Sequence, residues 1–200
     1  YDGRHAHDEH EALIARVLTP AAKYWICKRL PAAAAEAMEV MGGNGYVEEG
    51  PFARFYREAP LNSIWEGAGN VMGLDVLRAL GRVPAVRDAL IAELNAARGH
   101  RNYDVFVDAL VADLNTANAE EGDARALTER IAIAVQAASL LQGSPAVIAE
   151  AFCASRLAIL SPFSRSARSR RFTSASSVAL RSRRSAFSCL TSAGERVQPG

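Results

Sequence analysis

Between His10 and Leu157 the apolar residues of this 200-residue chain recur at steps of three and four, and nowhere do they alternate as half-buried strands require. That single pattern confines the fold to an all-α bundle. Leu13, Ile14, Val17, Leu18, Ala21, Ala22, Trp25 and Ile26 form one wide apolar face of a helix over about His10 to Arg29. Pro20 within it predicts a kink, or a joint between two helices. A second helix, about Ala32 to Met41, is nearly all Ala, Glu, Met and Val. It stops at Gly42-Gly43-Asn44-Gly45, because glycine accepts the positive φ that closes a helix. Small residues such as Ala32 to Ala35 let a neighbouring helix or a ligand come close.

From Tyr46 to Asn62 the period fades into an expected loop with Pro51 and Pro60. A third helix is predicted to start near Ile64 to Gly69 and to run through Leu80. Further helices are expected over about Ala85 to Arg98, Tyr103 to Ala119, Asp123 to Gln142 and Ala146 to Leu157. Tyr24, Trp25 and Met38 read as core, as do Met72 and Leu74 to Leu80.

Charge divides the chain differently. Residues 1–84 carry nine basic against eleven acidic side chains, and 85–154 carry five against ten. Residues 155–200 carry nine arginines, one glutamate and no lysine. The stretch from Ser161 onward, rich in Ser and Arg, has no helical stripe. It reads either as a disordered basic tail or as an out-of-frame product of a GC-rich coding stretch, and no function is assigned to it. Three scattered cysteines, Cys27, Cys153 and Cys189, make no CxxC pair and point to a reducing, cytoplasmic setting. His5, His7 and His10 could in principle ligate a metal, but at an acidic-flanked start they read as solvent-exposed, and no metal is expected. No apolar run reaches membrane-span length. The N-terminus lacks an initiator Met, a basic flank and an apolar stretch, so it is no signal peptide and reads as a chain met in mid-sequence.

One carboxylate stands apart. Ile64-Trp65-Glu66-Gly67 sets an acid between a tryptophan and a glycine at the mouth of an apolar helix. Facing an apolar cleft, such a group loses solvation and becomes a proton acceptor near neutral pH. The plainer reading is a negative charge placed at a helix N-terminus to suit the dipole. Arg54 and Arg57, around Tyr56, read as partners in structural salt bridges.

The stretches EAMEVMGGNGYVEEG (Glu36–Gly50) and RFYREAPLNSIWEGAGNVM (Arg54–Met72) together resemble the C-terminal helical domain of the acyl-CoA dehydrogenase family. VLTPAAKYWICKR brings the wording near its AidB branch, the adaptive alkylation-response relatives. Gly-Gly-Asn-Gly-Tyr alone is common; followed by Tyr-Arg-Glu and Ile-Trp-Glu-Gly at these spacings it is specific. The likeness is dense from Leu18 to Leu80 and looser to Leu157.

The resemblance implies an acyl-CoA dehydrogenase-type C-terminal helical bundle over residues 1–84, extra helices over 85–157, and the Ser/Arg-rich tail over 158–200. It places Glu66 on the catalytic base of an FAD-dependent oxidoreductase. That base removes the α-proton of an acyl-CoA thioester while the β-hydrogen leaves as hydride to the flavin. Trp65 and Gly67 fall on positions beside the flavin ring and the substrate carbonyl. Glu39, Gly42 and Gly43 fall on the loop that reaches FAD from a neighbouring subunit. Glu39 departs from the glutamine that many relatives carry there, and Ala68 from a hydroxyl side chain. The resemblance further implies a homotetramer built around this domain. It also implies that the chain alone, without the β-domain that precedes this one in the family, is inactive. A DNA-binding role like that attributed to the alkylation-response branch needs basic surface, which acidic residues 85–154 lack. A helical oligomerisation module without catalysis is the remaining reading.

Overall fold

A computed structural model of the chain describes residues 8–115 and 121–157. All of these lie in one packed unit. The Ser/Arg-rich tail, His5 and His7 fall outside the described residues. Among the described residues every regular element is helical and none is a strand.

The spine is α1, Glu9–Val40. Asp8 caps it by accepting a hydrogen bond from the Glu11 N–H at 3.2 Å, and Glu9 and Glu11 set negative charge against the positive end of the helix dipole. The two helices expected here are therefore one, and Pro20 is no joint. Each proline lacks an N–H, so Pro20 and Pro31 leave the carbonyls of Arg16 and Cys27 without a helical donor. Burial of Ile14, Val17, Ala21, Tyr24 and Pro20 itself outweighs that loss in the first half of the helix. Trp25 and Met38 are only half-buried, and Ile26 is exposed.

After the short α2 (Gly43–Tyr46), the expected loop contains a helix, α3 (Phe52–Glu58), continued by a 3₁₀ turn over Ala59–Ser63. Only Ala53 of α3 is buried, so its stretch is too short to show a period. Arg57 holds it to the preceding loop through both oxygens of Glu48, at 2.5 and 3.0 Å. That pair keeps the exposed Glu48 carboxyl below its ordinary range.

The next helix, α4 (Gly69–Arg82), starts at the late end of the expected range, Ile64 to Gly69. Glu66 and Gly67 both have positive φ, so a right-handed helix cannot run through them. Then come α5 (Pro84–Ala96), opened by a proline at its first turn, α6 (Arg101–Asn115) and α7 (Ala124–Gly143). A last short helix, α8 (Ala146–Phe152), passes into a π turn over Cys153–Leu157. Helices α4, α5 and α7 pack directly on α1. Gly73 lets α4 approach α7, because a Cβ there would sit 3.3 Å from the Ala124 backbone.

The fully buried core runs through Val17, Val76, Leu90, Tyr103, Leu110 and Ile131. Its polar atoms are answered locally: the Tyr103 hydroxyl donates to the Leu94 carbonyl at 2.8 Å, and Thr128 Oγ1 donates to the Ala124 carbonyl at 2.7 Å. Arg16 of α1 and Asp75 of α4 join in a bidentate pair, both bonds 2.9 Å.

Candidate functional site

Two surface features carry the residues singled out by sequence, and both are built on α1.

The first is the turn between the 3₁₀ segment and α4. Ile64 and Trp65 donate their N–H groups to the Leu61 carbonyl at 2.9 and 3.2 Å, closing the 3₁₀ turn. The chain then reverses through Glu66 at φ 55° and Gly67 at φ 111° before Ala68, in extended backbone, opens α4. Glu66 is the one non-glycine residue with positive φ among the described residues. An L-residue in that conformation costs about 1–2 kcal/mol from contact between its Cβ and the following carbonyl. Gly67 has no such penalty, yet it is not free to change. Its φ strains any L side chain placed there, and a Cβ would also have to push aside the movable end of the Met72 side chain.

From the other side, Lys23 of α1 donates to the Trp65 carbonyl at 2.8 Å and to the Gly67 carbonyl. The turn is thus held by a cation beneath it, with Met72 against Gly67. Glu66 and Trp65 face outward; Trp65 is 55% exposed. The desolvated acid imagined from sequence is, in this chain, a carboxylate on open surface.

The second feature is the C-terminal end of α1. Met41 and Gly42 donate to the carbonyls of Met38 and Glu39 at 3.1 and 3.0 Å, and the chain turns at Gly42 with φ 59°. Glu39, Gly42 and Gly43 are all exposed. Nothing lies within 4 Å of the point a Cβ would occupy at Gly42 or Gly43. That open backbone suits the close approach of a phosphate-bearing cofactor such as FAD. The exposed Glu39 carboxylate beside it suits a hydroxyl or amino donor, such as a ribose or adenine offers, better than a phosphate.

Glu66, Trp65 and Gly67 therefore come together, and so do Glu39, Gly42 and Gly43, but the two groups do not meet. Sixteen residues of α1 separate Lys23 from Glu39, about 24 Å along a helix. Between them lies an apolar groove of about 430 Å³, lined by Leu30, Ala33, Ala34, Ala37, Phe52 and Phe55 among others, with Glu58 and Asn62 as its polar members. Of the alanines noted in sequence as permitting close approach, Ala33 and Ala34 line it, together with Ala37.

Sequence reasoning passed over Lys23 and read Met72 only as a packing residue. A lysine within an apolar stretch, Ala21-Ala22-Lys23-Tyr24-Trp25, was the available signal for the first. No grouping of three or more His, Cys, Asp or Glu suited to a metal occurs among the described residues, and His10 pairs with Glu93 at 3.6 Å. Arg54 and Arg57 are both in ion pairs, with Glu58 and Glu48. Among the described residues no helix is long and apolar enough to cross a membrane.

The glycine turn that closes the long helix and the turn at Glu66 both lie within a stretch that matches a known family. Residues 3–81 match the acyl-CoA dehydrogenase C-terminal domain, so that part of the chain is a domain of this family. Its likeness to one relative extends further. The chain is 44% identical over 147 residues to AidB of Escherichia coli (strain K12), described provisionally as an acyl-CoA dehydrogenase; the match covers 73% of this chain and 27% of AidB. Acyl-CoA dehydrogenase family member 11 of Caenorhabditis elegans is 40% identical over 68 residues, 34% of this chain and 11% of that protein. Among solved structures, the apo-form of Bd2924 superposes with a TM-score of 0.59 at 31% identity, over 69% of this chain and 27% of that one. The chain thus spans about a quarter or less of the length of each of these proteins.

Proposed function

We infer that this chain supplies the catalytic base and one cofactor-facing loop of a flavin-dependent acyl-CoA dehydrogenase. The observation that carries this reading is the backbone of Glu66. Stability alone favours glycine at φ 55°, yet the chain keeps a carboxylate there, beside a glycine that already makes the turn. Strain of this kind gathers where a side chain is needed in one place.

In the proposed reaction Glu66 takes a proton from the carbon next to an acyl thioester. Its own backbone N–H faces the thioester oxygen, where negative charge develops as the proton leaves. Trp65 flanks the cofactor ring, and Gly67 leaves room for the substrate against the main chain. FAD, when bound, supplies the acceptor for the hydride leaving the β-carbon. Gly42 and Gly43 offer open backbone to the phosphates, and Glu39 accepts a hydrogen bond from the ribose or adenine. The family resemblance implies that Glu39, Gly42 and Gly43 reach the cofactor of a neighbouring copy, and the separation of about 24 Å along α1 from the level of the Glu66 turn is compatible with the two groups serving different copies of an oligomer. The base needs a water-excluding wall to work efficiently, and its exposure here assigns that wall to surfaces beyond this chain's own helices. The chain by itself is therefore expected to turn over slowly or not at all.

The test is a titration of the 200-residue chain with FAD, followed by flavin fluorescence. Saturable binding that Gly43→Asp abolishes and Glu66→Gln leaves intact supports the loop assignment; no binding removes it. In an assembly that reduces its flavin with an acyl-CoA, Glu66→Gln should slow reduction by about 10²–10⁴-fold, the usual contribution of a positioned base. Unchanged reduction removes Glu66 from the chemistry.

A further inference from the structure

The geometry points to Lys23 as the positioning residue for the Glu66 peptide: its ammonium grips the carbonyls on either side of Glu66 and so aims the Glu66 N–H at the substrate oxygen. The inference rests on the reading of Glu66 as the base beside an acyl thioester.

Lys23 Nζ donates to the Trp65 oxygen at 2.8 Å and to the Gly67 oxygen. No peptide bond among the described residues is cis. In a trans peptide the C=O and the following N–H point opposite ways. Drawing the Trp65 carbonyl down onto α1 therefore turns the Glu66 N–H away from α1. Drawing down the Gly67 carbonyl does the same for the Ala68 N–H. The two carbonyls share this cation in a turn where Glu66 and Gly67 both take positive φ, the conformation that glutamate resists. Lys23 is thus the compensating contact for the strain at Glu66.

A second effect follows from charge. A cation on a carbonyl oxygen draws electron density through the peptide group and makes the attached N–H a stronger donor. Lys23 therefore both orients the Glu66 N–H and strengthens it for an oxygen that gains negative charge. Its hydrogen bonds go to main-chain carbonyls of the turn, so the role assigned to it is positioning. A neutral side chain of similar length, such as Met, keeps the stem and loses both effects. Arginine, with its forked donors, keeps them in part.

The test uses the full chain labelled with ¹⁵N. Lys23→Met should speed solvent exchange of the Trp65 amide about tenfold or more, because a charge-assisted anchor is lost, and leave the Ile131 amide in α7 unchanged. Lys23→Arg should restore most of the protection. Equal Trp65 exchange in wild type and Lys23→Met overturns the inference. Should Lys23→Met fail to fold, the wild-type ammonium signal decides: a slowly exchanging Lys23 resonance supports the anchor, and one averaging with water like that of the exposed Lys28 overturns it. Glu66→Gln should not disturb the Trp65 amide, so a failed base assignment leaves this readout standing. In a flavin-reducing assembly, Lys23→Met should lower kcat with KM nearly unchanged, and Lys23→Arg should recover part of it. A raised KM with unchanged kcat overturns the positioning role.

Discussion

At the scale of single residues, the turn at Glu66 and Gly67 sets function against stability. Replacing Glu66 by Gly removes a side chain from a backbone conformation it disfavours, at φ 55°. That variant should be more stable than wild type by about 1 kcal/mol in urea unfolding, while losing any activity that depends on the acid. Gly67→Ala goes the other way. At φ 111°, with Met72 in the space a Cβ needs, it should cost about 1–3 kcal/mol by the same measurement. The motif Trp-Glu-Gly was legible in sequence, and so was the chemistry a carboxylate could do there. The positive φ of Glu66 was not, because nothing in a residue's name reports the conformation its neighbours impose. Lys23 was hidden for a related reason: its partners are main-chain carbonyls more than forty residues away, and carbonyls have no sequence signature.

At the scale of elements, α1 shows where periodicity succeeds and where it stops. The apolar rows of α1, α4, α5, α6 and α7 were readable because each buries several side chains on one face. Pro20 suggested a kink or joint that tertiary burial overrode, and α3 was too short and too exposed to announce itself. The joint between α1 and α4 is the Arg16–Asp75 pair. The guanidinium holds the Asp75 carboxyl below the usual aspartate range, chiefly through the side-chain hydrogen bond. A carboxyl whose pKa is lower folded than unfolded adds stability above its unfolded pKa and loses it as pH falls through the folded one. Asp75→Asn should therefore cost about 1 kcal/mol at pH 7, the pair being partly exposed, and the difference from wild type should shrink below about pH 4. A gap that stays constant down to pH 2 would contradict this account.

At the scale of the whole molecule, apolar surface is unevenly spread. Among the described residues most exposed large apolar side chains belong to residues 26–83, and Ile26, Val40, Tyr46, Phe55, Ile64 and Trp65 are each at least half exposed. Of these, Phe55 lines the groove, and Trp65 belongs to the turn at Glu66. Exposed apolar area on this scale seeks a partner. Sedimentation velocity at rising concentration should show the chain moving into larger species, and Phe55→Glu, charging the groove wall, should hold it in smaller ones. Sedimentation that does not vary with concentration would assign that surface no role in self-association. Part of this was visible in sequence as alanine-rich and glycine-rich stretches, but their gathering on one side depends on α3 folding back over α1, which no local pattern reports.

The strain at Glu66 also has a meaning for descent. Glutamate and glycine codons differ by one nucleotide, so the substitution that relaxes this backbone is always one mutational step away. A lineage that needs the acid must keep rejecting a change that would make its protein sturdier. Once the reaction ceases to matter, selection for stability and drift push position 66 the same way. Among descendants of this chain, the residue at that position becomes a record of whether the chemistry is still in use.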